Sequence, residues 1–145
     1  LYEGGIRVPF IVNQPGMVPI QTLDNLIYFP DMMPTLAALA KGTKHLPKQI
    51  NGINILPLFY GKQVDTDNRL LYWEFPGKQR AARKGDWKCV TIHPNQPLEL
   101  YNLKEDPEET NNLAKKYPRR VKEFDEEMQR MHIPTPNWPQ PGEQF

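Results

Sequence analysis

Residues 70–103, LLYWEFPGKQRAARKGDWKCVTIHPNQPLELYNL, decide the fold. Four short strand-like runs, 70–75, 80–84, 87–93 and 98–103, are separated by Pro76-Gly77, Gly85-Asp86 and Pro94-Asn95-Gln96-Pro97. Proline presets a turn dihedral, glycine admits positive φ, and Asp and Asn bond their own backbone, so each spacer is a turn signal. Connections this short join antiparallel neighbours. The expectation is an antiparallel sheet of four strands.

Downstream, Asp106-Pro107 breaks the strand pattern, and residues 108–116 (EETNNLAKK) are expected to form a short helix. Pro118 suits the first position of a final helix. Val121, Phe124, Met128 and Met131 follow at spacings that make one apolar stripe, with Lys122, Glu123, Glu126, Glu127 and Arg130 opposite. This helix should cover one face of the sheet. The tail, 133–145, is proline-rich and should be extended.

Upstream, residues 62–69 read as a polar link. Residues 6–13 read as a strand, with Pro9 at its start or on an edge. Asp31 is a candidate N-cap for a helix over 31–41, with Gly42 as its stop. Asn51-Gly52 marks a turn, and the apolar run 55–59 one helical turn in a core. An unpaired strand at 6–13 would invite self-association.

Composition narrows the chemistry. The 145 residues carry a net charge of +1, which gives no reason for nucleic-acid or membrane binding. No apolar run approaches the ~20 residues of a membrane span. No serine occurs, so no serine nucleophile is available in this sequence. The single Cys89 excludes an internal disulfide and, inside a predicted strand, reads as a small buried hydrophobe. The first residue is Leu1 and the first methionine Met17, as inside a longer protein. Sixteen prolines point to many punctuated loops.

No residue set forms a self-contained active site. His45, His93 and His132 are far apart and read as exposed loop histidines. Asp125-Glu126-Glu127 reads as a solvated helix face. Gly4-Gly5 fits no phosphate-binding fingerprint. Lys78, Arg80, Arg83, Lys84 and Lys88 surround Trp73 and Trp87; they read as solvent-facing positions on strands, ahead of a nucleic-acid face or cations for an anionic substrate.

Five stretches, in order, resemble the arylsulfatase-type sulfatases of the alkaline phosphatase superfamily. Leu1-Tyr2-Glu3-Gly4-Gly5-Ile6-Arg7-Val8-Pro9 looks like the segment that follows the family's active-site lysine. Asp31-Met32-Met33-Pro34-Thr35-Leu36 resembles its D-x-x-P-T-L motif. Asn51-Gly52-Ile53-Asn54-Ile55-Leu56-Pro57-Leu58 is similar to D-G-x-S-L-L-P-L, with Asn51 for the usual Asp and Asn54 for the usual Ser. Arg80-Ala81-Ala82-Arg83-Lys84-Gly85-Asp86-Trp87-Lys88 is similar to the A-V-R-x-G-x-W-K hairpin, and Glu99-Leu100-Tyr101-Asn102-Leu103, then Asp106-Pro107-Glu108-Glu109 and Asn112-Leu113-Ala114, resemble the E-L-Y-D-L-x-x-D-P-x-E-x-x-N-L-A run.

The resemblance implies an α/β fold, α+β within this chain. Residues 1–61 would end a large mixed-sheet domain, 62–132 would form a small antiparallel subdomain packed by a helix, and 133–145 would be the tail. It implies a hydrolase of sulfate esters using formylglycine and calcium, with nucleophile, lysine and metal ligands all upstream of Leu1. No catalytic or metal residue carries over, no cofactor is expected here, and the chain alone should be inactive. Tyr2, Glu3, Gly4, Trp73, Glu74 and Arg83 are the candidates for a substrate-pocket wall, and Arg7 for a structural ion pair. The implied partners are the N-terminal catalytic part and a sulfated small molecule or carbohydrate, and the implied address is periplasmic or secreted. A phosphonate or phosphodiester hydrolase is the sister reading. A non-catalytic module using Trp73, Trp87 and Trp138 as an aromatic platform is the other class.

Overall fold

Three reversals between residues 70 and 103 fold the chain into a meander. In the computed structural model, which describes residues 1–76, 79–93, 95–136 and 142–144, β1 (Leu71–Phe75), β2 (Gln79–Lys84), β3 (Trp87–Thr91) and β4 (Glu99–Asn102) form one antiparallel sheet in chain order. Gly85 takes φ 56° in the two-residue loop between Lys84 and Trp87, a dihedral that L-residues rarely adopt. The register sets Ala82 beside Cys89 and Cys89 beside Leu100; one residue along, Ala81 faces Val90 and Val90 faces Glu99. The Pro76-Gly77 and Pro94 positions of the expected turns, and Trp138, fall at or beyond the edge of the described residues.

The chain divides into two compact units, one of Leu1–Val8 with Arg69–Phe145 and one of Pro9–Asn68. In the first, both faces of the sheet are buried. Under the final helix, α4 (Pro118–Met131), lie Ala82, Cys89 and Leu100 with Phe124 and Met128. Pro118 stands at the helix start as expected. The opposite face buries Ala81, Val90, Tyr101 and Leu103, against which Leu1, Tyr2, Trp73 and Ile92 pack. This is an α+β unit, a four-stranded antiparallel sheet with a packed C-terminal helix. The expected helix over 108–116 does not form. Asp106 accepts bonds from the Thr110 and Asn111 N–H groups, and Asn112 from those of Leu100 and Ala114. Glu109 sits at φ 56°. Side-chain acceptors have taken the backbone donors a helix would need.

The unit of Pro9–Asn68 holds α2 (Met32–Leu39) and α3 (Leu56–Phe59), preceded in the chain by α1 (Glu3–Ile6) of the other unit. Here the resemblance motifs explain one another. Asp31 does not cap α2 through its side chain; its buried carboxylate accepts from the N–H groups of Tyr28 (3.0 Å) and Ile53 (2.9 Å). Thr35, one turn on, accepts from the Ile55 N–H (3.0 Å). Gly52 packs so closely that a Cβ there would stand 1.9 Å from the Pro30 carbonyl oxygen. The two motifs are thus stitched together at backbone level. Helix α2 stops with Gly42 donating to Ala37 O, but the left-handed residue is Lys41 (φ 56°), not the glycine.

The strand expected over 6–13 is absent. Residues 3–6 form α1, and 7–13 are irregular. Pro9 has no N–H to give, and no strand among the described residues pairs with this stretch. Arg7 is exposed and forms no ion pair among the described residues. Of the exposed large apolar side chains, most fall between 8 and 50, including Val8, Ile11, Ile20 and Phe29.

Candidate functional site

Lys88 is wholly buried in the middle of β3, not solvent-facing as its basic neighbours in sequence suggested. Alternation explains why. Cys89 takes the α4 face, so Lys88 and Val90 take the other, and that face is covered as well. A buried ammonium is costly unless paired. Its Nζ lies 2.9 Å from Glu3 Oε1 and 2.8 Å from Glu109 Oε1. The second contact is an ion pair lacking hydrogen-bond alignment. Arg83, on the same face two residues from Ala81, reaches Glu3 Oε2 at 3.3 Å and donates from Nε to Gly85 O. The Glu3 backbone N–H donates to Glu109 Oε2 at 2.5 Å. Two cations and two carboxylates therefore close a neutral cluster.

Beside it, Glu99 accepts from two phenols, Tyr2 (2.5 Å) and Tyr101 (2.9 Å). The two rings meet edge to face at 6.3 Å. Burial, reinforced by Glu99, pushes the Tyr2 phenol up to about 12 and raises that of Tyr101. Both stay neutral donors at ordinary pH. The arrangement holds residues 1–6 firmly on the sheet. It offers no free base or nucleophile, because each carboxylate already has its partners.

Of the six pocket-wall candidates, the structure gathers Tyr2, Glu3, Trp73 and Arg83 on this face. Gly4 follows at an exposed position with open space above its Cα. Glu74 is elsewhere. Its register opposite Arg80 turns it to the α4 face, where it lies 2.7 Å from His132 Nδ1. His132 is accordingly no loose loop histidine: its Nε2 contacts Glu143, and hydrogen bonding to Glu74, then to Glu143, raises its pKa. Sequence reasoning missed Lys88, Glu99, Tyr101 and Glu109. The available signal was a lysine sharing strand parity with Val90 in a strand apolar on both faces.

Cys89 is fully buried, and burial pushes its thiol up to about 12, far from a nucleophile's range. Trp73 and Trp87 lie on opposite faces of the sheet, so they form no common platform. Among the described residues no three His, Cys, Asp or Glu side chains are grouped to hold a metal ion, and no helix is long and apolar enough to cross a membrane. The residues present do not fit a calcium site.

Residues 1–133 match the family model described as N-sulphoglucosamine sulphohydrolase, C-terminal. The chain is 33% identical over 130 residues to an uncharacterized sulfatase of Schizosaccharomyces pombe, a match covering 80% of this chain and 23% of that protein. It is 30% identical over 139 residues to an N-acetylgalactosamine-6-O-sulfatase of Bacteroides thetaiotaomicron, covering 86% and 27%. A solved Bacteroides thetaiotaomicron structure, described under metabolism of multiple glycosaminoglycans, superposes with a TM-score of 0.57 at 27% identity, covering 69% of this chain and 24% of that one. The chain thus spans about a quarter of the length of these relatives.

Proposed function

The chain belongs to the N-sulphoglucosamine sulphohydrolase C-terminal family, and from that premise we propose that it is the C-terminal portion of a hydrolase that removes sulfate from sulfated carbohydrates. The carrying observation is the clasp of Lys88, Arg83 and Glu109 on Glu3. It fixes the segment that, by the family resemblance, follows the active-site lysine. A catalytic lysine must be held to within fractions of an ångström, and buried ionic partners restrict its neighbours in that way.

On this reading Tyr2, Glu3, Gly4, Trp73 and Arg83 wall one side of the substrate pocket, and Glu74, tied to His132, takes no part. Residues 1–61 would close the large domain, with residues 1–8 packed on the sheet unit, and 62–132 would form the small subdomain. The nucleophile, a formylglycine, and the calcium ligands come from the N-terminal catalytic part, whose docking the exposed apolar residues between 8 and 50 support. Such a protein would act outside the cytoplasm, on neither nucleic acid nor membrane.

The test compares the longer protein that contains this chain with the 145-residue chain alone. The longer protein should release inorganic sulfate from a sulfated disaccharide, and the chain alone should not. Turnover by the chain alone, or preferential cleavage of a phosphodiester by the longer protein, overturns the proposal.

A further inference from the structure

Four cations fall within six residues at the approach to α4: Lys115, Lys116, Arg119 and Arg120. Neither the sequence motifs nor the clasp on the opposite face of the sheet uses them. Lys116, Arg119 and Arg120 line an open cleft of about 350 Å³, walled also by Tyr117 and Pro118. The one carboxylate on its wall is Glu123, and none of the three cations forms an ion pair among the described residues. Arg120 is not loose. Its guanidinium stacks on the Trp87 ring at 4.3 Å from the centroid, and Trp87 in turn meets Tyr117 edge-on at 5.3 Å. A guanidinium held over an indole face is restrained by the cation–π contact, while its N–H donors, which that contact does not consume, remain able to bind an oxyanion.

A second cleft of about 450 Å³ shares Lys116 and Tyr117 with the first. Its wall is different: Asn102, Thr110 and Asn111 supply amide and hydroxyl groups, and Glu105 and Asp106 carboxylates. The first cleft suits an anionic substituent, and the second suits neutral hydroxyls. The carboxylates would repel a polymer charged at every unit.

We propose that these joined clefts bind a sulfated saccharide, with a sulfate on Lys116, Arg119 and Arg120 and ring hydroxyls against Asn102, Thr110 and Asn111, as an accessory site on the face opposite the Lys88 clasp. The choice of a saccharide over other sulfated ligands rests on the functional reading above. The site would hold a polymeric substrate on the protein between hydrolytic events.

Calorimetric titration of the 145-residue chain tests this, with an oligosaccharide carrying a single sulfate, the same oligosaccharide without its sulfate and a DNA duplex as probes. Binding to the sulfated probe alone is expected, weakening as salt rises. R119Q/R120Q should reduce affinity about tenfold or more, since hydrogen bonds to charged groups are lost. K44Q/K48Q removes the same charge at exposed positions elsewhere and should leave affinity unchanged. Circular dichroism confirms folding, and K116Q, which leaves the Arg120 stack intact, provides a second variant expected to weaken binding. No binding at low salt, equal losses in the two double variants, or equal affinity for duplex DNA overturns the proposal. The readout is binding, not turnover. Lost binding beside an active longer protein sinks the accessory site alone; intact binding beside a longer protein that hydrolyses no sulfate ester sinks the functional reading alone.

Discussion

The two faces of the four-stranded sheet use alternate residues of the same strands, yet they are held by different physics. The α4 face is apolar: Ala82, Cys89 and Leu100 meet Phe124 and Met128. The other buries a lysine between two glutamates, with an arginine and a carboxylate that binds two phenols. An apolar face gains from any side chain of suitable volume. An ionic face gains little net stability, because desolvation offsets attraction, but it penalises every partner except the right one. The comparison teaches that the first face sets how stable the unit is and the second sets what is docked there, namely residues 1–6.

The largest effect is expected from removing Lys88. K88A leaves Glu3 and Glu109 buried without their cation and should cost ~3–5 kcal/mol in chemical denaturation. K88M conserves most of the volume and should cost nearly as much, because charge and not space is lost. Adding E3Q and E109Q to K88M should recover most of the loss. A K88M variant as stable as the parent would mean that the cluster is idle. On the apolar face, L100A should cost ~2–5 kcal/mol through its cavity. There L100M, the volume-conserving change, should cost less than ~1.5 kcal/mol. A large L100M penalty would erase the distinction between the faces.

The apolar face is legible in the sequence. Val121, Phe124, Met128 and Met131 declare a helix stripe, and the three turn signals declare the meander whose alternation supplies the other half of that core. The charged face was half legible. Tyr2, Glu3 and Arg83 stand out through resemblance, not through their contacts. Lys88 looks solvent-facing in the sequence because its partner Glu3 lies 85 residues away, and pattern in a window cannot see a pairing of that range. Glu109 was hidden differently: it sits at positive φ with no glycine to mark the position. The strand assigned to 6–13 failed for a related reason. Residue preference can favour an extended chain, but a strand requires a neighbour to share its hydrogen bonds.

Alkali offers the subtlest discrimination, because each face carries groups whose protons are held too tightly, and the first to ionise in the unfolded chain are Cys89 on one face and a phenol such as Tyr2 on the other. Burial in the apolar core, with Asp125 nearby, raises Cys89 from 9.0 to about 12; burial and Glu99 raise Tyr2 from 10.0 to about 12. Above its ordinary value each group ionises in the unfolded chain while the folded chain keeps the proton. The folded state then binds more protons, so stability falls as pH rises. The loss from Cys89 begins near 9 and that from Tyr2 near 10, and both continue to about 12. Denaturation midpoints measured from pH 7 upward should therefore start to fall about one unit earlier in the parent than in C89A, whose remaining decline in this range includes that of Tyr2. In Y2F the early limb should persist while the later fall becomes shallower. If C89A leaves the onset where it was, the thiol is not held in a dry core, and the assignment of the α4 face as the one closed to water fails with it.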